Sequence, residues 1–183
     1  MTKEYDTRVR HFIKETVTLN LPNTTKALRI LLEEMSTEKG FSRHDGRDYF
    51  VHPIAVAQTA IDFGLINQML QANDREKADT LLTSCLLHDI VEDVEKYTYS
   101  SLVSIFNQDI ATAVMNVTKV EGEIHEDYVS RFSSNEISAL VKILDRLNNV
   151  STLSESTLQH RQRQLKETRE IYYPLTKQFR RTY

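Results

Sequence analysis

Apolar residues recur at helical spacing through almost the whole of this sequence, and few chain breakers interrupt them. The 183 residues include only 4 Gly and 3 Pro, whereas β-sandwiches and β-barrels use both residue types at frequent turns. Apolar spacings of three and four residues indicate amphipathic helices. We therefore predict an all-α helical bundle with a first domain over residues 1–155 and a C-terminal helical extension over residues 156–183.

Individual helix ends can also be predicted from local signals. One apolar stripe covers residues 27–35, and Thr24 or Thr25 is the expected N-cap of its helix. Pro53 lies where the first residue of another helix is expected. The polar and acidic residues 121–134 break the pattern, so we predict a loop there.

The composition excludes several classes of protein. The four glycines, at positions 40, 46, 64 and 122, are not spaced to form either G-x-G-x-x-G or G-x-x-x-x-G-K-[ST], so two common nucleotide-binding loops are absent. Cys85 is the single cysteine, which excludes an internal disulfide or a zinc ribbon and favours a cytoplasmic location. Residues 1–14 lack the apolar stretch of a signal peptide, and no apolar run is long enough to span a membrane. A net charge of −3 argues against a protein that coats nucleic acid.

A cluster of carboxylates follows one of the apolar stripes. Asp89 lies four residues after Cys85 and continues the same buried face, where an unpaired charge is expensive. If the helix continues, Glu92 and Asp93 share the side of Asp89, and His88 lies next to them. A bound cation would balance this concentration of negative charge.

Asp145 repeats the pattern at the end of the apolar run over residues 140–144. Asn149 and Thr152 follow four and seven residues later, so one helical face carries all three polar side chains. His52 stands at the start of another helix and is a further candidate ligand. The complete candidate ligand set is His52, His88, Asp89 and Asp145. Imidazole and carboxylate ligands together suit Mn, Fe or Zn better than a metal that selects thiolates.

A metal site is not the only interpretation of these residues. A second His-Asp pair, His44-Asp45, stands in a polar loop, so the dipeptide alone predicts nothing. Charged runs such as residues 91–96 are commonly solvated helix faces. The residue pattern by itself leaves both interpretations equally open.

Five ordered blocks of the sequence carry a recurring set of motifs. Residues 43–57 resemble R-x-x-G-x-P-Y-x-x-H-P-x-x-V-A, and residues 86–93 resemble L-L-H-D-x-V-E-D. The later blocks are V-T-K at residues 117–119, a likeness to I-K-L-A-D-R-L-H-N at 141–149, and a likeness to E-T-x-x-I-Y-x-P-L at 167–175. Together these blocks resemble the hydrolase domain of the RelA/SpoT family.

The resemblance implies an HD-fold hydrolase that uses manganese, or another divalent metal, to remove the 3′-pyrophosphate from ppGpp or pppGpp. The metal ligands it implies are His52, His88, Asp89 and Asp145. Glu92 and Asp93 match the acidic pair required for hydrolysis. Arg43 matches an arginine that packs on the guanine base, and Asn149 and Thr152 match residues that contact the nucleotide.

Other features of the first block concern the substrate and its polyphosphate charge. We expect Arg43 and His44 to meet that charge and Tyr49 to form a wall of the pocket. Three positions depart from the family pattern: Asp48 replaces Pro, Asn148 replaces His, and Ser151 replaces Arg. The family's alarmone synthetase has no counterpart here, so the resemblance implies a hydrolase-only enzyme with a nucleotide substrate. The oligomeric state stays open.

Two alternative functions stay open at this point. The first is an HD-type nucleotidase or phosphatase that acts on another phosphorylated nucleotide, such as an adenine alarmone or NADPH. The second is a non-catalytic module that binds a nucleotide, or binds a partner through residues 121–127. The retention of carboxylates on buried faces argues against the non-catalytic module, because a site without a function has no physical reason to keep them.

Overall fold

Helices make up about three quarters of the residues that this computed structural model describes, which are 7–43, 46–153 and 157–179. In chain order the α-helices are α1 (Thr7–Leu19), α2 (Pro22–Glu34), α3 (Val51–Asp62), α4 (Leu65–Gln71), α5 (Arg75–Leu87), α6 (Ile90–Asp93), α7 (Tyr99–Ile105), α8 (Gln108–Val117), α9 (His125–Ser133), α10 (Glu136–Ser151), α11 (Leu158–Glu167) and α12 (Tyr173–Phe179). Within the described ranges, extended pairing is limited to one isolated bridge between Ser42 and Asp48. The all-α prediction is confirmed. No helix in this part of the chain has the length and apolar character that crossing a membrane requires.

Helix α5 forms the centre of the bundle. Its residues 78–87 are all buried, and the helix contacts α2, α3, α8 and α10. Helices α3 and α10 also pack on each other. The end of α5, the start of α3 and the middle of α10 therefore meet in the core, and these are the segments that carry the candidate ligands.

Residues 121–134 do not form the predicted loop, because α9 occupies most of them. Tyr128 and Phe132 lie four residues apart on one side of α9, are both buried, and make an edge-to-face ring contact at 5.1 Å. Arg131 pairs with Glu123 at 2.7 Å and ties the helix to the preceding turn. Two aromatic residues in a polar segment are enough for an amphipathic helix whose apolar stripe is narrow.

The predicted cap of α2 is also wrong, because the helix begins at Pro22 and both Thr24 and Thr25 lie inside it. The acceptor for its first turn comes from α5 instead. Asp79 Oδ1 accepts the backbone N–H of Thr24 at 2.7 Å and its hydroxyl at 2.7 Å, while Oδ2 accepts the Asn23 N–H at 3.1 Å. A buried carboxylate from a distant helix therefore does what a local cap usually does.

Replacing Asp79 with alanine should lower the free energy of unfolding by about 2–4 kcal/mol, because it leaves buried N–H donors without an acceptor. Urea denaturation followed by circular dichroism measures the change. Asp109→Ala, which removes an exposed carboxylate at the start of α8, is the matched control and should cost less than about 1 kcal/mol. Equal losses in the two variants would contradict the capping role.

The C-terminal helices pack on the same bundle. Tyr172 and Leu175 are buried in the core, and the Tyr172 ring stacks on Phe132 with 6.1 Å between centroids. A π-helical turn, Thr168–Tyr172, precedes Pro174; a wider turn relieves the clash of a proline ring with the carbonyl group four residues earlier. The predicted boundary between residues 155 and 156 lies outside the described residues.

Candidate metal centre

Three helices bring His52, His88 and Asp145 together in the core. His52 is the second residue of α3, His88 directly follows α5, and Asp145 lies on α10. Their exposed fractions are 6%, 2% and 7%. One ligand atom from each residue lies within 4.8 Å of the ligand atoms of the other two, so this group could hold a metal ion. Three of the four predicted ligands therefore share one site.

The His52 ring is held with one nitrogen towards this site. Its Nδ1 lies 2.8 Å from Asn148 Oδ1, and its Nε2 lies 3.2 Å from Asp145 Oδ1. An amide oxygen only accepts hydrogen bonds, so Nδ1 carries the proton in the neutral ring. The lone pair of Nε2 then faces a carboxylate oxygen, and a bound cation would relieve their repulsion.

The His88 ring has the same arrangement. Its Nδ1 donates to the backbone carbonyl of Cys85 at 2.9 Å. Its Nε2 is buried, has no hydrogen-bond partner among the described residues, and lies 3.1 Å from Asp89 Oδ2 and 3.8 Å from Asp145 Oδ1. Buried polar atoms without a partner are uncommon. A ring nitrogen that faces carboxylate oxygens while the other nitrogen donates to a carbonyl is typical of histidine metal ligands, so the residues present fit a divalent ion.

The electrostatics of the site also favour positive charge. Burial lowers the pKa of His88, but the carboxylates of Asp89 and Asp145 outweigh burial and raise it to about 9. Burial raises the pKa of Asp89, but the charged His88 ring lowers it to about 2. A proton on His88 and a metal ion would satisfy the same carboxylates and therefore compete with each other.

Asp145 is held by two further side chains of α10. Lys142 Nζ lies 3.0 Å from Oδ2, and Asn149 Nδ2 donates to Oδ1 at 2.8 Å. Burial opposes charge on both partners, but the ion pair prevails: Lys142 keeps the pKa of Asp145 well below its usual value, and Asp145 keeps the pKa of Lys142 well above its usual value. The carboxylate is therefore ionised and fixed in orientation before any ion binds.

The prediction that Asp89, Glu92 and Asp93 share one face requires the helix that carries Cys85 to continue to Asp93. The helix does not continue that far. Helix α5 ends at Leu87, and α6 begins at Ile90. The His88 ring occupies the Cys85 carbonyl, which would accept the N–H of Asp89 in a continuous helix. The break turns Asp89 towards His88 and towards Tyr49, whose hydroxyl donates to Asp89 Oδ2 at 2.7 Å.

Asp89 and Tyr49 lie beside the group formed by His52, His88 and Asp145. Asp89 is adjacent to His88 but is not part of the group whose ligand atoms all lie within 4.8 Å, so its role as a fourth ligand stays a prediction. Tyr49 is half-buried beside the site, where its hydroxyl holds this carboxylate.

The two members of the predicted acidic pair have different surroundings. Glu92 accepts a hydrogen bond from the backbone N–H of Lys119, in the predicted V-T-K block, and burial raises the pKa of Glu92. Asp93 has no side-chain hydrogen bond or ion pair to the described residues. Burial, together with the negative charges of Asp89 and Glu92, raises the pKa of Asp93 to about 6. A carboxylate with that pKa can accept a proton near neutral pH.

Of the residues predicted to contact the nucleotide, Asn149 contacts a residue of the candidate metal site. The Asn149 amide is engaged with Asp145, and the exposed Thr152 hydroxyl donates to the Asn149 carbonyl at 3.2 Å. Arg43 is half-buried, and its carbonyl accepts the N–H of Gly46 at 2.9 Å. His44 lies outside the described residues.

Sequence reasoning missed two residues that support the ligands. Lys142 and Asn148 lie three residues before and after Asp145, so they share its helical face. That spacing was the available signal. Residue type hides both, because lysines are usually exposed and Asn148 stands out only as a departure from the family pattern.

Comparison with known proteins gives one family match. The HD domain family matches residues 49–170, a range that contains all four predicted ligands.

Several curated proteins are similar to this chain. It is 30% identical over 141 residues to the guanosine-3′,5′-bis(diphosphate) 3′-pyrophosphohydrolase of Aquifex aeolicus. The aligned region covers 73% of this chain and 18% of that protein. It is 28% identical over 184 residues to the probable enzyme of the same name from Mycoplasma pneumoniae, 89% of this chain and 23% of that protein. It is 30% identical over 148 residues to the bifunctional (p)ppGpp synthase/hydrolase SpoT of Escherichia coli K12, 75% of this chain and 19% of that protein. The chain thus spans about a fifth of the length of these relatives.

Proposed function

The chain belongs to the HD-domain family, and from that membership we propose that it is a metal-dependent hydrolase that removes the 3′-pyrophosphate from guanosine alarmones. The observation that carries the proposal is the convergence of His52, His88 and Asp145, with both ring Nδ1 atoms tied to protein acceptors. The names of the similar proteins support ppGpp and pppGpp as substrates. Their products would be GDP or GTP and pyrophosphate.

In this proposal His52, His88 and Asp145 hold a divalent ion, with Asp89 as the fourth ligand. We propose Mn²⁺, because a mixed imidazole and carboxylate set suits it and because the family resemblance implies it. When bound, such an ion polarises phosphoryl oxygens and lowers the pKa of the water next to it. Tyr49 and Lys142 keep the carboxylates of Asp89 and Asp145 in fixed orientations.

The acidic pair would handle the proton of the attacking water. Water attacks the phosphorus atom that is bonded to the 3′-oxygen. The bond between that phosphorus and the 3′-oxygen breaks, pyrophosphate is released, and the 3′-oxygen takes up a proton. Asp93 is the better placed base, because its carboxylate is unpaired among the described residues and its pKa is raised to about 6. Glu92, held on the Lys119 N–H, would orient the water. Arg43, His44, Asn149 and Thr152 are proposed to contact the nucleotide.

A product assay tests the proposal directly. The protein is incubated with Mn²⁺ and ppGpp, pppGpp, pppApp or NADPH, and the products are separated by anion-exchange chromatography. We expect pyrophosphate with GDP or GTP. Orthophosphate release from NADPH would favour a phosphatase instead. Bound metal with no turnover of any substrate would favour a non-catalytic module.

Removal of the metal should abolish activity reversibly. Dialysis against a chelator is expected to reduce turnover to background, and Mn²⁺ should restore it, because the carboxylates and imidazoles alone supply no Lewis acid. Circular dichroism before and after dialysis controls for unfolding. Full activity in protein shown by elemental analysis to be metal-free would exclude a metal-dependent mechanism.

We also propose that residues 156–183 act as an extension that supports a hydrolase domain formed by residues 1–155, in a cytoplasmic protein. Arg146, next to Asp145 on α10, pairs with Glu167 at 2.7 Å and lies over the Tyr172 ring at 4.3 Å. This contact links the extension to the helix that carries a metal ligand.

A further inference from the structure

We propose that Asn148 is a positioning residue of the metal centre, whose carboxamide decides which nitrogen of His52 is available to the ion. The inference rests on the metal-dependent function proposed above, but it requires nothing of the substrate. Asn148 is one of the positions at which this chain departs from the family pattern, so the arrangement is a property of this sequence.

The two side chains that face His52 come from one turn of α10. Asn148 lies three residues after Asp145, so both project towards α3. Asn148 Oδ1 is 2.8 Å from Nδ1, and Asp145 Oδ1 is 3.2 Å from Nε2. The opposite edges of one ring are thus held between two oxygen acceptors. Because His52 is only 6% exposed, solvent can hardly replace either of them.

A neutral imidazole has a single N–H, and its position determines whether the ring can bind the ion. With the proton on Nδ1, the ring donates to Asn148 and keeps a lone pair on Nε2. With the proton on Nε2, the ring donates to Asp145 and has no lone pair facing the site. The amide oxygen of Asn148 stabilises the first form, so the protein selects the tautomer that can bind metal.

A carboxamide differs from a carboxylate here because it has a donor as well as an acceptor. A half-turn of the Asn148 side chain would present Nδ2 to Nδ1 and support the second tautomer. The amide oxygen and nitrogen are nearly equal in size, so that rotation needs no additional space. An aspartate at this position can only accept, so it would hold the ring permanently in the metal-binding form.

Three variants test this role by metal binding alone. Mn²⁺ is titrated into each protein while free Mn²⁺ is measured by its electron paramagnetic resonance signal. Asn148→Leu should weaken binding by about 10–100-fold, the usual effect of losing a residue that orients a ligand. Asn148→Asp should bind at least as tightly as the unmodified protein. Asn67→Leu, at an exposed position of α4, is the matched control and should change nothing.

A second measurement follows the tautomer itself. The Hδ1 proton of His52 is observed by NMR in protein loaded with Zn²⁺, which is diamagnetic. In the unmodified protein and in Asn148→Asp we expect a downfield signal that exchanges slowly with water, and in Asn148→Leu we expect that signal to be lost. A residue with only a packing role would not be rescued by aspartate.

Unchanged Mn²⁺ affinity in Asn148→Leu, or equal losses in the leucine and aspartate variants, would overturn the role of Asn148. If the leucine variant does not fold, weaker Mn²⁺ binding or loss of the Hδ1 signal in the aspartate variant would still overturn the role. An unmodified protein that binds no Mn²⁺ would overturn both this role and the proposed function. A protein that binds Mn²⁺ but cleaves no alarmone would overturn the proposed substrate and leave the role of Asn148 supported.

Discussion

Replacing Asp145 with asparagine is expected to weaken Mn²⁺ binding by at least about 100-fold and to reduce turnover to background. Asp145 is the residue that both imidazole Nε2 atoms face, at 3.2 Å and 3.8 Å. An amide oxygen at that position is a weaker ligand, and the site loses one negative charge. Titration of Mn²⁺ and the product assay measure the two losses on the same sample.

A second consequence of this change has to be separated from the first. Lys142, whose side chain is 14% exposed, pairs with Asp145 at 3.0 Å, and leaving one charge of a largely buried pair without its partner costs up to about 3–5 kcal/mol of stability. The double variant Asp145→Asn/Lys142→Gln removes both charges and should recover much of that stability without recovering metal. Lys142→Gln alone should keep the metal. Normal Mn²⁺ binding in the stable double variant would show that Asp145 is not a ligand.

Replacing Asp93 with asparagine should leave metal affinity within a few-fold of normal and lower kcat by about 10²–10⁴-fold, the usual contribution of a positioned base. Asp93 lies outside the group of three ligand residues and has no partner among the described side chains. Asparagine keeps its shape but accepts no proton from water at neutral pH. Mn²⁺ titration and steady-state kinetics on one preparation make the distinction.

Glu92→Gln is the informative companion to this variant. Glutamine can still accept the Lys119 N–H through its oxygen, so the side chain should stay in place while its charge is lost. We expect retained metal and loss of most turnover. Asp127→Asn, an exposed position in the first turn of α9, serves as the control. Unchanged kcat in both the Asp93 and the Glu92 variants would remove the acidic pair from the mechanism.

A structural feature could be predicted from the sequence when the residues that interact to form it are close together in the chain. Helical spacing predicted the all-α fold, and ordered motifs selected His52, His88 and Asp145, which the structure brings together. The cap of α2 could not be found in the same way, because its acceptor is Asp79, more than fifty positions away in the chain. Local signals report only on neighbours three or four residues distant.

Two errors have other physical causes. The helix at α9 was missed because its apolar stripe consists of Tyr128 and Phe132 within a charged segment, which average hydrophobicity hides. The break after Leu87 was missed because it depends on a side chain, the His88 ring, that takes a backbone carbonyl from the helix. The contact of Asn148 with His52 cannot be inferred until α3 and α10 are packed together, whereas the contact of Lys142 with Asp145 lies within α10 and follows from their spacing of three residues.

The separation of the ligands along the chain has a mechanical consequence. His52, His88 and Asp145 belong to three different helices, so an ion that joins them acts as a reversible cross-link across the centre of the bundle. Such a cross-link stabilises only the folded chain, by about 2.7 kcal/mol when free metal is a hundred times its Kd. The melting temperature should therefore rise with metal concentration. Resistance to heat and to proteolysis would then report the fraction of the protein that has metal bound.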